Sequence, residues 1–294
     1  MQGHSHHGHH HHGSPHHGSP HHGSPHHGSP HHGDESRLAD LLDLDADVLG
    51  TYLDELTAWI AEQAVRTPRT VADLGAGTGT GTLALARRFP DAEIVAVDQS
   101  PVMLDRLRSA ALGQGLGERV RLVRADLDEA LPPIGGADLV WAAASLHHVK
   151  DPARLLGEIH AALDPGGTLA VVEMDGMPRF LPDEAGAALE ARCRAAVAAT
   201  GPDPYPDWGP FLEEAGFEVA ARRDFPIEVS PAPPNAVRYA QAVLGGYRSR
   251  LDGELAAADL AALDRLLSAD SPESLGRRDL VVRGTRTAWA ARRP

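Results

Sequence analysis

The chain has 294 residues, 42% of them hydrophobic, with 41 acidic against 27 basic side chains and a formal net charge of −14, the makeup of a globular chain able to bury a sizeable core. Residues 1–33 hold no Asp, Glu, Lys or Arg, so the whole acidic excess belongs to the remainder, and an acidic domain without a basic run is poorly suited to gripping a phosphate backbone or an anionic membrane. The single cysteine, Cys193, excludes an internal disulfide, and no segment has the unbroken apolar length of a signal or spanning helix; together these predict a cytoplasmic chain.

Residues 1–33 are of low complexity: they hold 15 of the 18 histidines, and His-His-Gly-Ser-Pro repeats from His11 to Pro30. Gly, Ser and Pro at fixed intervals predict disorder here, and paired imidazoles offer an adventitious site for a divalent metal such as zinc, nickel or copper. The candidate domain is therefore 34–294. From Asp45 to Arg66, Val48, Leu49, Tyr52, Leu53, Leu56, Trp59 and Ile60 recur at helical spacing and predict a helix that Thr67-Pro68 stops.

The next stretch organises the rest. An apolar strand, Val71-Ala72-Asp73-Leu74, enters a loop with glycine at every second position, Gly75, Gly77, Gly79 and Gly81, and Thr82-Leu83-Ala84-Leu85-Ala86 leaves it as a helix. Such a loop brings backbone close to a ligand at a helix start. A dinucleotide fingerprint needs glycines at i, i+2 and i+5. From Gly75 the i+5 residue is Thr80 and from Gly77 it is Thr82; only a frame from Gly79, with Gly81 and Ala84, meets a relaxed version, too far into the helix. No Gly-x-x-x-x-Gly-Lys occurs either. What stands here, Asp-x-Gly-x-Gly-x-Gly from Asp73, resembles the class I S-adenosylmethionine-dependent methyltransferases, in their small-molecule branch typified by ubiquinone and menaquinone methyltransferases. The resemblance implies a loop of Gly75, Ala76, Gly77 and Gly79 fitted to a compact zwitterion, with Asp73 near its ammonium group.

A second strand from Glu93 to Val97 ends at Asp98, where an acid can accept from both ribose hydroxyls. NAD enzymes carry an acid there too, so Asp98 alone does not choose the cofactor. Gln99-Ser100-Pro101-Val102-Met103 then opens a helix; the resemblance puts Gln99 in the cofactor site and Met103 against adenine, while Met103 also suits helix core. A third strand, Val120 to Arg124, ends in Ala125-Asp126-Leu127. There the resemblance implies that Asp126 reads the adenine amino group and Leu127 the ring through its backbone; the alternative for Asp126 is a turn cap.

The fourth strand, Asp138 to Ala144, carries Ala143 toward the cofactor and Ser145-Leu146-His147-His148 at its mouth. Carboxyl ends of strands face the ligand in open α/β sheets, so the histidine pair is placed near the transferred methyl. Many of the family's small-molecule members read Leu-His-His here, whereas its nucleic-acid amino-methyltransferases carry Asn/Asp-Pro-Pro-aromatic, absent from this chain. His147 or His148 is the candidate general base, or either orients the loop. His160, inside a helix from Ala153 to Leu163, reads as structural.

Asp164-Pro165-Gly166-Gly167 predicts a turn and Thr168 to Glu173 a fifth strand. Five strands alternating with four helices over 71–173 predict a cofactor-binding core. The resemblance then implies a doubly wound, mostly parallel seven-stranded Rossmann-like sheet, its last two strands (from Glu218 and from Leu280 to Ala291) forming an antiparallel edge. Segments 34–68, 175–215 and 231–270 would form a helical lid on the substrate side. Met174, Met177, Phe180, Tyr205, Trp208, Tyr239 and Tyr247 suit pocket walls or plain packing. Two other readings stay open: a nicotinamide oxidoreductase of Rossmann type, and a non-catalytic cofactor- or metal-binding protein.

Overall fold

The computed structural model describes residues 32–200 and 205–294. The expectations of disorder and metal binding over residues 1–31 lie outside the described residues, as does Gly201-Pro202-Asp203-Pro204. His32 and Gly33, counted with the low-complexity segment on composition, instead open the first helix.

Helices α1 (His32–Leu49) and α2 (Tyr52–Gln63) precede strand β1 (Thr70–Leu74). The spacing predicts one helix from Asp45 to Arg66; the structure has two, hinged at Gly50, where a side chain would meet the Ala46 carbonyl oxygen at 2.3 Å. Glycine is also a poor helix former, so the break falls there. The chain continues through α3 (Thr80–Arg88), β2 (Glu93–Asp98), α4 (Pro101–Gly113), β3 (Val120–Arg124), β4 (Ala137–Ala143), α5 (Pro152–Ala162) and β5 (Leu163–Met174). The alternation predicts four helices in this core, and three form. Between β3 and β4 the chain runs through Leu131-Pro132-Pro133, where missing N–H groups and crowding before each proline bar a helix. The predicted turn at Asp164–Gly167 lies inside β5, because its backbone is held by Arg293: Gly166 N–H donates to the Arg293 carbonyl at 2.9 Å and Arg293 N–H to that of Gly167 at 3.0 Å.

After β5 come α6 (Glu184–Ala199), α7 (Gly209–Glu214), β6 (Glu218–Val229), α8 (Ala236–Arg250), α9 (Ala257–Leu267) and β7 (Val282–Arg292). The seven strands lie in the order β3-β2-β1-β4-β5-β7-β6. β7 runs antiparallel to both neighbours, and β1 to β5 are parallel. The sheet is thus doubly wound and mostly parallel, with β7 inserted inside the expected antiparallel edge.

Neighbouring strand residues feed opposite faces. Val71, Ile94 and Leu139 pack with Leu56, Leu85 and Leu107 on one side, while Ala72, Val95 and Val140 pack with Leu156, Ile159 and Leu212 on the other. Both faces being covered explains why these strands read as continuous apolar runs. A further cluster joins α1, α6, α8 and α9 through Val48, Leu189, Tyr239, Leu244 and Leu263. No helix among the described residues is long and apolar enough to cross a membrane.

Candidate functional site

The strand order reverses between β1 and β4, and a crevice outside the carboxyl ends of strands at such a switch is where open α/β sheets take ligands. The glycine loop and the histidine turn leave the sheet at this point.

The loop begins with a sharp reversal: the N–H groups of Gly75 and Ala76 both donate to the Val97 carbonyl at 2.9 Å, tying the end of β1 to β2. Gly75, Gly77 and Gly79 have φ of +73°, +53° and +96°, a region that side chains disfavour. Asp98 closes the other side. Its Oδ2 accepts from Gly77 N–H and its Oδ1 from Ser100 N–H, each at 2.9 Å. Burial pushes its carboxyl up, those N–H groups pull it down, and nearby Glu35 pushes up again. Asp73 is turned inward: 2% exposed, it accepts from the Thr82 hydroxyl at 2.5 Å across the start of α3. Burial is the main reason its pKa rises to about 7, with the charge of Asp98 adding to it.

The other predicted cofactor contacts lie along the same edge. Ser100 caps α4 by accepting from Met103 N–H at 3.3 Å, which fixes the buried Met103 on the helix's first turn. Gln99 is exposed, and its carbonyl accepts from Arg124 at 3.1 Å. Asp126, past β3, accepts from Asp128 N–H at 2.9 Å, so it does cap a turn. Leu127 packs into the core on one side while its carbonyl accepts from Arg154. Ala143 ends β4 half-buried. Loop, Asp98, Met103, Asp126 and Ala143 are thus all at the carboxyl edge of β1 to β4.

The turn after β4 starts with Ala144 at φ +50°, an exposed non-glycine residue in the left-handed region. That reversal throws Ser145 against the glycine loop and begins a single 3-10 turn, Leu146–His148. His147 Nδ1 lies 2.7 Å from Oε2 of Glu173, the penultimate residue of β5, and Glu173 is 1% exposed. The His148 ring is 4.0 Å from that of His147; desolvation first, and the charge of His147 second, push its pKa down. Tyr205 stands 6.3 Å from His147, ring to ring. Glu173 belongs to no motif: its only trace in the sequence is a charged residue closing the buried run Ala170-Val171-Val172. His160 is far from this turn in function: it packs edge-on against Phe217, 4.9 Å away. Trp208 is likewise remote, packed with Phe211 in the core on the α5 face, while Phe180 and Tyr239 pack edge to face, 5.4 Å apart.

A Cβ on Gly77 would stand 3.1 Å from Leu42 of α1, so that helix packs directly over the loop. Ser145 Oγ and Trp141 Nε1 are buried beside it without a hydrogen-bond partner. α1 lies across the opening, joined to α4 by Glu35 accepting from Ser100 Oγ at 2.8 Å and by Arg106 donating to Asp40 at 2.6 Å and Asp43 at 2.5 Å. Among the described residues no group of three or more His, Cys, Asp or Glu is arranged to hold a metal ion.

Comparison with known proteins agrees with this architecture. Residues 71–167 match the family model of the methyltransferase domain. The chain is 38% identical over 156 residues to a trans-aconitate 2-methyltransferase of Methylobacterium radiotolerans, covering 51% of this chain and 54% of that one. It is 39% identical over 115 residues to a demethylmenaquinone methyltransferase of Thermus thermophilus, covering 39% and 51%. The chain thus spans about half the length of these curated relatives. A solved structure assigned as a type II methyltransferase from Anaeromyxobacter dehalogenans superposes with a TM-score of 0.55 at 24% identity, over 81% of this chain and 95% of that one, a likeness of fold. The segment from Val71 to Gly167 is a methyltransferase domain of the class I family, whose members use S-adenosylmethionine as methyl donor.

Proposed function

We propose that the chain transfers a methyl group from S-adenosylmethionine to a small-molecule acceptor in the cytoplasm. The observation that carries the reading is the contact between the two halves of the crevice: the glycine loop and the turn bearing His147 touch at Gly75 and Ser145, so a donor on the first lies beside an acceptor at the second. The loop from Gly75 to Gly79, whose glycines let backbone come close to a ligand, would hold the amino-acid end of the cofactor, with the Asp73 carboxyl behind it. Asp98 would accept from the ribose, and Met103, Asp126, Leu127, Gln99 and Ala143 would enclose the base. When bound, the cofactor supplies a sulfonium whose methyl is open to in-line attack.

The chain's own work is then orientation and exclusion of water. Positioning of that kind is worth about 7–11 kcal/mol, against about 10²–10⁴-fold for a general base. The helices of 34–68, 175–215 and 231–270 are read as a lid, supported by α1 lying over the loop at Leu42. The net charge of −14 favours a small organic acceptor over nucleic acid, as do relatives named for trans-aconitate and demethylmenaquinone.

Calorimetric titration with S-adenosylhomocysteine, set beside NAD and NADP, tests the reading. Saturable binding of S-adenosylhomocysteine alone, lost in Gly77→Val, is the expected result. Binding of a nicotinamide nucleotide instead, or unchanged affinity in Gly77→Val, would overturn it.

A further inference from the structure

Helix α6 carries a polar face that cofactor binding does not use. Glu190, 2% exposed, accepts from Phe180 N–H at 2.7 Å and from Leu181 N–H at 3.4 Å, which fixes this face against the segment after β5. Arg194 follows four residues on, on the same side of the helix. A Cβ on the buried Gly176 would stand 4.0 Å from Arg194 Nη1, so the guanidinium lies against the chain just past the end of β5. Arg194 Nε is closed to water and has no hydrogen-bond partner among the described residues. Tyr247 of α8 shows the same condition: the residue is 6% exposed, and its hydroxyl is buried without a partner among the described residues. Burial first, and the charge of Tyr205 second, push that hydroxyl's pKa up, while the charge of Arg194 pulls it down. Tyr205 connects the pair to the turn after β4, its ring 6.3 Å from that of His147.

We propose that Arg194 and Tyr247 form an anchor for a carboxylate on the methyl acceptor, which is accordingly a small organic acid methylated at another atom. This rests on the methyl-transfer reading above. A buried donor left unmade is costly, and two of them at one place call for a ligand that brings acceptors. The chain holds 41 acidic side chains, yet none pairs with Arg194 among the described residues, so its charge is open to an acid from outside. The Nε and one Nη of a guanidinium present two parallel N–H groups that match the two oxygens of a planar carboxylate. The Tyr247 hydroxyl donates to a remaining lone pair. One guanidinium balances the single charge of a carboxylate, whereas a phosphate brings more charge and a third oxygen to satisfy. A carboxylate held in this way has its lone pairs engaged, which makes it a poor nucleophile and a good handle. Both residues lie outside the segment 71–167 that matches the methyltransferase domain, in the part of the chain that would distinguish one acceptor from another.

Benzoate, ionised at neutral pH, and its neutral isostere benzamide test the anchor by calorimetric titration into the full-length chain, with and without S-adenosylhomocysteine. Benzoate is expected to bind, and benzamide and phenyl phosphate to bind more weakly. Arg194→Gln and Tyr247→Phe are each expected to lower benzoate affinity about 10–100-fold, the range for a hydrogen bond to a charged group. Tyr247→Phe has a second readout. The hydroxyl it removes is unsatisfied in the empty protein, so its urea midpoint is expected to be unchanged or raised while benzoate affinity falls; a hydroxyl kept for packing alone would give the opposite pair. Absence of benzoate binding, equal binding of benzamide, a preference for phenyl phosphate, or benzoate affinity unchanged in both variants would overturn the proposal. So would transfer of label from S-adenosylmethionine to the benzoate carboxylate. Failure to bind S-adenosylhomocysteine overturns the methyl-transfer reading, and benzoate binding that Arg194→Gln removes would then leave the anchor standing; cofactor binding without benzoate binding overturns this inference alone.

Discussion

Gly75 and Ser145 are packed so closely that a methyl group on Gly75 would stand 2.5 Å from the Ser145 Cβ. The loop after β1 and the turn after β4 therefore form one surface, and glycine is needed for the contact as well as for the backbone. Gly75→Ala adds a left-handed alanine, costing about 1–2 kcal/mol, to an overlap in a packed site, costing about 1–3 kcal/mol. Urea denaturation should show a loss of about 2–5 kcal/mol, with the His147 nitrogen resonances displaced because the turn must move.

Asp73 makes stability depend on pH in a direction opposite to that of most carboxylates. Burial raises its pKa from 3.8 to about 7 in the folded chain. The folded form thus holds this proton more tightly than the unfolded form. Its favourable contribution is complete below about pH 4 and is lost as pH rises through 7. At about 1.4 kcal/mol per unit, the swing is at most about 4 kcal/mol. Asp73→Asn keeps an acceptor for Thr82 without the titration. The stability of Asp73→Asn relative to the parent is therefore expected to improve between pH 4 and pH 8, measured by denaturation at both; a constant difference would show that Asp73 keeps ordinary acidity.

Ala144 holds a φ of +50° at an exposed site, so no packing forces the choice of residue there, and the strain serves the geometry of the histidine turn. Ala144→Gly should fold within about 1 kcal/mol of the parent. Ala144→Val, branched at Cβ, should lose about 1–2 kcal/mol or more, with methyl transfer falling further than affinity for S-adenosylhomocysteine. Equal behaviour of the two variants would count against the turn's role.

Arg286 of β7 is 3% exposed and donates to Asp45 of α1 at 3.0 Å; Tyr239 of α8 donates to the same carboxylate, and Tyr52 lies under the guanidinium at 5.6 Å. Asp45→Ala leaves that cation buried without its partner. Breaking a fully buried pair costs about 3–5 kcal/mol. Asp45 retains some access to water, so about 2–4 kcal/mol is expected on thermal or chemical denaturation, together with faster amide exchange in α1 as its tie to the sheet is cut.

Legibility in the sequence followed physical range. β1, β2 and β4 are short apolar runs punctuated by glycine or an acid, and local composition is enough to mark them; the glycine spacing from Gly75 to Gly79 likewise carried the cofactor class. The break at Gly50 was hidden because Val48, Leu49, Tyr52 and Leu53 keep helical spacing across it. β5 extends through Gly166 only because Arg293, distant in the chain, bonds to it. Glu173 is 26 residues from His147, and Arg286 is 241 from Asp45. Such pairs exist only once the sheet has set their neighbours, and no periodicity encodes them.

The place of β7 has a bearing on how the chain is made. Because β7 lies between β5 and β6, β6 bonds among the described residues to no strand but β7. During synthesis, β6 emerges well ahead of its partner β7, with α8 and α9 still to come. A chain halted between Ala236 and Leu280 would carry two raw sheet margins at once, one on β5 and one on β6, each able to recruit another molecule.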